Sequence, residues 1–318
     1  MDIARHIDVL LFDDLNILDV AGPVQAFVAT NHGGVSRYEL RYVSLDGRAV
    51  TTSCGLRLQP EDRLDPEADR DLLIPGGPGV DRMLLDENLR KILMSWPNAA
   101  NDRRLISICS GALILAAAGI LDGRIATTHW GRKAQVLSHF PAVSWLTDAL
   151  YHIDDPIFTS AGVTSGIDLS LEMIRRDHGA AVALSVAREL VVYLRRSGGQ
   201  SQFTDILEAQ FTDDPALSRL ISALHDTPGA DWTLDRMADV AGLTSRTLVR
   251  RFSAKTGQTL VKFLERYRVK RASDALSGGL PVGQSIEVAG FTDFQQMQRA
   301  FKRHLGTTVG SYVDNFAT

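Results

Sequence analysis

The sequence predicts an α/β domain built on a doubly wound sheet, followed by a second, all-α domain made of a repeated helical unit. Three observations carry this. Short apolar, β-rich runs alternate with helical patterns over roughly the first two thirds of the 318 residues. The alternation stops near residue 195. Beyond it lie only helical patterns separated by small turns, and two of these stretches share one skeleton. The length also suits two domains, because single hydrophobic cores stop growing at about 250–300 residues.

Taken in order, "IDVLLF" (7–12) is a continuous apolar run suited to a parallel strand buried on both faces. "DVAGPVQAFVAT" (19–30) reads as a helix and "YELRYVSLDG" (38–47) as a strand ending in a turn. "DLLIPGG" (71–77) is a strand delivering a glycine turn, "RLISIC" (104–109) another strand, and "SGALILAAAG" (110–119) a helix closed by Gly119. "RIATTHW" (124–130) and "PIFTSAG" (156–162) supply two more strands. "GIDLSLEMIRRDHG" and "GAAVALSVARELVVYLRR" then carry apolar residues at three- and four-residue spacing, as helices do. Such alternation implies helices on both faces of the sheet, with ligands at the carboxyl ends of the strands, where Gly76, Gly77 and Cys109 fall. The Ser-, Gly-, Gln- and Asp-rich stretch 195–215 reads as a connection. The expected layout is a domain at 1–195, a linker at 196–213 and a domain at 214–318.

Composition narrows the function classes. The chain is 45% hydrophobic and 23% charged, with no apolar run of the roughly 18–20 residues that a membrane span needs. "MDIARHIDVLLF" lacks the apolar core and cleavage site of a signal peptide. Two cysteines, Cys54 and Cys109, make neither a disulfide framework nor a metal-ligand spacing. A cytoplasmic protein without metal or cofactor is therefore expected. The net charge of −4 is uneven: residues from Asp214 onward hold 14 Lys and Arg against 10 Asp and Glu, whereas the rest holds 20 against 28. A basic segment on an acidic partner suggests a nucleic-acid-binding module.

"DRMADVAGLTSRTLVRRFSAKTG" (235–257) and "QSIEVAGFTDFQQMQRAFKRHLG" (284–306) share a short helix, Ala-Gly-apolar-Thr, and a helix with Arg and Phe closing on Gly. A helix-turn-helix needs a left-handed glycine in its turn, and Gly242 and Gly290 stand there. Thr244 and Asp293 are the expected N-caps of the second helices. Leu248 and Phe252 face the core of the first unit, leaving Arg246, Thr247, Arg250 and Arg251 outward. Met297 and Phe301 do so in the second, leaving Gln295, Gln296, Gln298, Arg299 and Lys302. Arg and Gln suit guanine and adenine edges, and Lys and Arg suit phosphates, so double-stranded DNA is the expected partner. The competing reading is a set of solvated charged faces on a helical bundle; two units in tandem weigh against it. "ERYRVKRASDAL" (265–276) reads as a connecting helix that is basic on one face.

About the last hundred residues resemble the AraC/XylS DNA-binding domain. Ser285 stands where that family has an apolar residue, Met297 where it has Phe, and Val309 where it usually has Pro. The resemblance implies two recognition helices about one duplex turn, roughly 34 Å, apart.

In the first domain Cys109 follows a strand and precedes Ser110, Gly111 and a helix. That is the arrangement of a nucleophile elbow, with Ser107 and Gly111 small enough for a sharp turn and a helix N-terminus to lower the thiol pKa. A cysteine filling core space fits the same local sequence. "IPGGPG" (74–79) supplies backbone N–H groups for an oxyanion hole, "TTHW" brings His129, and "LDVAGP" places Asp19 after the first strand. Asp19 also suits a helix N-cap, His129 a bond to a backbone carbonyl, Trp130 and Phe27 packing, and Cys54 a structural part.

With these motifs, residues 5–195 resemble the ThiJ/PfpI family, which implies a doubly wound, flavodoxin-like sheet. The resemblance implies an elbow cysteine at Cys109 beneath the Gly77 turn, with the acid at Asp19 and a histidine at His129. The order of the two domains resembles the GlxA-type transcriptional regulators. That resemblance implies a cytoplasmic bacterial transcription factor, an activator that meets RNA polymerase, dimerises through its first domain and answers to a small nitrogenous metabolite. The expected ligand crevice lies between Asp19, Gly76, Gly77, Cys109, Ser110 and His129. Two alternatives stay open: an enzyme of the isonitrile hydratase or amidase type using Asp19 and Cys109, and a redox sensor oxidised at Cys109.

Overall fold

The structure, a computed structural model, describes residues 4–31, 35–96, 103–192, 214–227, 229–277, 279–305 and 307–316. The linker expected at 196–213 lies outside them. The chain divides into two compact units, residues 1–194 and 195–318.

In the first unit the apolar runs form the strands of one seven-stranded sheet. They are β1 (Arg5–Leu10), β2 (Tyr38–Ser44), β5 (Asp62–Arg63), β6 (Asp71–Ile74), β7 (Leu105–Ile108), β10 (Tyr151–Asp154) and β11 (Ile157–Ser160), in the spatial order β10-β11-β7-β6-β1-β2-β5. All neighbours run parallel except the edge pair β10 and β11, a hairpin. Central β6 and β7 are buried at every position, and each fully buried Leu or Ile contributes about 1.5–3 kcal/mol. The short pairs β3 (Val50–Thr51) with β4 (Arg57–Leu58), and β8 (Ile125–Ala126) with β9 (Ser144–Trp145), stand outside the sheet.

Helices α1 (Ile17–Val28), α2 (Val80–Met83), α3 (Glu87–Ser95), α4 (Gly111–Ala117), α5 (Lys133–His139), α6 (Thr164–His178) and α7 (Ala180–Glu189) complete the unit. In α1 the buried residues Val20, Val24 and Phe27 recur at helical spacing. Of the strand expected over 124–130, only Ile125–Ala126 is extended, and it lies outside the main sheet. The two threonines that follow explain the stop. Thr127 gives its hydroxyl to the carbonyls of Leu146 and Ala149, and Thr128 gives its own to the Cys109 carbonyl at 2.8 Å. Side-chain bonds to backbone replace the ladder and tether this segment to the elbow.

The described part of the second unit is helical: α8 (Pro215–Asp226), α9 (Leu234–Ala241), α10 (Ser245–Thr256), α11 (Leu260–Ser277), α12 (Val282–Ala289), α13 (Phe294–Leu305) and α14 (Val309–Phe316). It has two hydrophobic cores. Leu248, Phe252, Phe263 and Leu264 belong to the first, and Val269, Leu276, Met297, Phe301 and Tyr312 to the second. α11 is the spine between them. The basic face expected on it is not an open one: Arg266, Arg268, Lys270 and Arg271 are all half-buried, because both sides of the helix pack on a core. Ser285 is fully buried among apolar residues and gives its hydroxyl to the Leu280 carbonyl at 3.3 Å, which accounts for a polar residue there. Met297 fills the second core, fully buried.

Candidate functional site

Four parallel strands deliver their carboxyl ends to one place. The turn after β1 leads to α1 and Asp19, β6 ends in Gly76 and Gly77, β7 in Cys109, and β11 in Gly162 and Val163. Cys109 has φ +58, in the left-handed region where a side chain is strained, and this is the sharp turn of an elbow. Gly162 makes the turn possible. Its φ is +102, and a Cβ there would lie 2.3 Å from the Cys109 Cβ and 2.8 Å from its Sγ. The Cys109 N–H donates to the Ser160 carbonyl at 3.0 Å.

Asp19 is fully buried in the first turn of α1. It is not the N-cap; Asn16 is, accepting the Leu18 N–H at 3.2 Å. The Asp19 carboxylate accepts the N–H of Val163 at 2.8 Å and of Gly76 at 3.2 Å, and is hydrogen-bonded to the Cys109 thiol. Burial holds its pKa above the ordinary carboxylate value despite these three partners. Burial first, and the Asp19 charge second, push the Cys109 thiol up to about 12. This is the reverse of the low pKa that a helix N-terminus predicts. Desolvation outweighs the nearby backbone dipoles when the sulfur is buried beside a carboxylate.

The glycine turn differs from the expected oxyanion hole in the same way. The Gly76 N–H is held by Asp19, and the Gly77 N–H donates to the Ser110 hydroxyl oxygen at 3.1 Å. Both donors are engaged inside the protein.

Above Cys109 opens a crevice of about 410 Å³ lined by Asn16, Gly77, Pro78, Asp81, Cys109, Ser110, His129, Arg132 and Val163. It brings together four of the six residues expected there. Asp19 and Gly76 lie behind the elbow rather than in the lining. His129 accepts the Gly131 N–H at Nδ1 (3.2 Å), capping a short 3-10 helix at Trp130–Arg132 rather than binding a carbonyl. Burial, and then Arg132, lower its pKa, so the ring is neutral at pH 7 with its proton on Nε2. Sequence reasoning missed Arg132 and Asp81, which form a bidentate pair at 2.9 and 3.1 Å. Their 51-residue separation left no local signal. Trp130, expected to pack, is 54% exposed, while Phe27 is fully buried. Cys54, expected in a structural part, is exposed and hydrogen-bonded to the Thr52 hydroxyl at 3.3 Å, which lowers its pKa.

In the second unit both turn glycines are left-handed, with φ +68 at Gly242 and +79 at Gly290. Thr244 caps α10 through the Thr247 N–H, and Asp293 caps α13 through the Gln296 N–H at 2.7 Å. The sequence-selected residues divide by what they touch. Arg246, Arg250, Gln295, Arg299 and Lys302 are exposed. Arg251 is also exposed but reaches Asp214 at 3.4 Å. Thr247 accepts a bond from the Thr244 hydroxyl at 2.9 Å. Gln296 turns its oxygen back onto the N–H and hydroxyl of Thr292, the residue before the Asp293 cap, both at 2.9 Å. Gln298 accepts the Val309 N–H at 2.9 Å. Among the described residues no group of three His, Cys, Asp or Glu is placed to hold a metal ion, and no helix is long and apolar enough to cross a membrane.

Residues 5–176 match the DJ-1/PfpI family, and residues 237–315 match a helix-turn-helix domain. The HTH-type transcriptional regulator GbdR of Pseudomonas aeruginosa is 27% identical over 307 residues, covering 95% of this chain and 82% of that protein. The isonitrile hydratase of Pseudomonas putida is 32% identical over 188 residues, covering 59% of this chain and 78% of the enzyme. Among solved structures, an AraC family transcriptional regulator from Pseudomonas putida has a TM-score of 0.51 at 24% identity, over 58% of this chain and 99% of that one. That likeness bears on the fold alone. Elbow, glycine turn and tandem helices thus agree with the matches: the chain belongs to the DJ-1/PfpI family and joins that domain to an AraC-type helix-turn-helix domain, the arrangement of the GlxA-type transcriptional regulators.

Proposed function

We propose that this protein is a cytoplasmic, DNA-binding transcriptional regulator whose first unit holds a small nitrogenous metabolite in the crevice beside Cys109. One observation carries the reading. The second and sixth residues after the two N-caps are Arg246 and Arg250 on α10, and Gln295 and Arg299 on α13, and all four are exposed. Two helices with the same outward face, each behind a left-handed glycine, suit successive major grooves of one duplex. Lys302 adds a phosphate contact.

In the crevice, Ser110, His129 Nε2–H and the Arg132 guanidinium offer donors, and Asp81 offers a carboxylate for a cationic nitrogen. Ligand binding biases a dimer of first units toward an arrangement that engages DNA and recruits RNA polymerase as an activator. The neutral thiol and the engaged Gly76 and Gly77 N–H groups favour recognition over turnover. The test pairs a thermal-shift screen of amines, betaines and amino acids with a mobility-shift assay on duplexes enriched from a random pool. A ligand that raises the melting point and changes duplex affinity supports the reading. Turnover of an amide or isonitrile, lost in Cys109→Ala, overturns it in favour of an enzyme. Loss of duplex binding on mild peroxide treatment, absent in Cys109→Ala, overturns it in favour of a redox sensor.

A further inference from the structure

Gln298 sits in α13 with Arg299 beside it, in the pattern of a base-reading side chain, yet its oxygen is occupied. It accepts the backbone N–H of Val309 at 2.9 Å. Val309 is the first residue of α14, since the Thr308 hydroxyl caps that helix through the Ser311 N–H at 3.1 Å. The first N–H groups of a helix have no intrahelical acceptor. Proline is favoured at this first position because it has no N–H to satisfy; valine does have one, and here it is fully buried as a residue. α14 in turn braces α13: Tyr312 stacks edge-on against Phe301 with ring centroids 5.4 Å apart.

We infer that Gln298 is a positioning residue, which satisfies the orphan N–H of Val309 and so locks the last helix against the second recognition helix, rather than a reader of bases. This rests on the proposed DNA reading for its consequence but not for its geometry. Base preference at the second half-site then comes from Gln295 and Arg299. A valine at 309 and a glutamine at 298 act as one unit, in which either a side-chain acceptor or the absence of the N–H satisfies the helix end.

The experiment uses the full-length chain and two readouts. Hydrogen exchange of the 309–313 backbone reports the helix end, and base preference and affinity are measured on duplexes enriched from a random pool by the wild type. Gln298→Ala is expected to speed exchange and weaken duplex binding roughly fivefold, as loss of one hydrogen bond does, with the base-preference profile unchanged. Adding Val309→Pro restores affinity and the exchange of 310–313. Gln298→Glu, which keeps an acceptor oxygen, leaves exchange at the wild-type rate. The inference is overturned if Gln298→Ala leaves exchange unchanged and flattens preference at one base pair. It is equally overturned if Gln298→Glu exchanges as fast as Gln298→Ala. Should the wild type enrich no duplex, the DNA reading fails while the exchange measurements still decide the role of Gln298.

Discussion

Asp19→Asn, made in a Cys54→Ser background so that only one thiol remains, separates the two causes that hold Cys109 protonated. Burial is the larger cause and the Asp19 charge the second. At pH 9 an ordinary thiol is half ionised, whereas one at about 12 is ionised in only about one molecule in a thousand. Iodoacetamide should therefore modify Cys109 very slowly at pH 9, with a rate still climbing toward pH 12. Asparagine removes the charge but not the burial, so the curve shifts to lower pH and stays above the ordinary thiol value. The same change has a structural cost. An amide has one oxygen for the Val163 and Gly76 N–H groups that the carboxylate now accepts, and the unpaired one costs about 1–3 kcal/mol in urea unfolding. Mass spectrometry of alkylated peptides against pH reads the first effect. A wild-type half-point at or below pH 9 would refute the reasoning and return an activated thiolate to this elbow.

Other outcomes follow from the same geometry. Because the folded thiol is held above its unfolded value, its contribution to stability is complete below about pH 9 and lost as pH rises toward 12; urea midpoints relative to Cys109→Ala should fall across that window. Gly162→Ala places a Cβ 2.3 Å from that of Cys109 at φ +102, and calorimetry should show a loss of about 2–4 kcal/mol. Arg132→Ala breaks a partly exposed pair with Asp81 and should change stability by no more than about 1 kcal/mol, while abolishing the thermal shift given by any crevice ligand. Arg246→Ala should weaken binding to an enriched duplex about tenfold more than to random DNA; an equal loss on both would make it a phosphate contact.

Strand–helix alternation and the tandem units with Gly242 and Gly290 were legible in the chain because each is a local pattern, whereas the local sequence around Cys109 fitted an elbow and a core-filling cysteine alike. The same locality explains what was misread. "LDVAGP" offers Asp19 to a helix N-terminus, and nothing nearby says that Asn16 takes the cap while Asp19 is carried under the sulfur. "TTHW" looks like a strand until Thr127 and Thr128 find carbonyls elsewhere. Gln295, Gln296 and Gln298 look alike in sequence, yet only Gln295 is left exposed, because Thr292 and Val309 engage the other two.

Apolar periodicity, turn glycines and capping residues by themselves determine that this protein has an α/β unit and a helical unit with tandem helix-turn-helix elements. These are choices of backbone conformation within a few residues. Tertiary structure alone decides the protonation of Cys109, the engagement of the glycine-turn N–H groups, the Asp81–Arg132 pair, and which glutamine oxygens are engaged, by Thr292 at Gln296 and by Val309 at Gln298. A pKa is set by the water excluded and the charges brought near, and a side-chain oxygen can serve only the donors that the fold places within its reach.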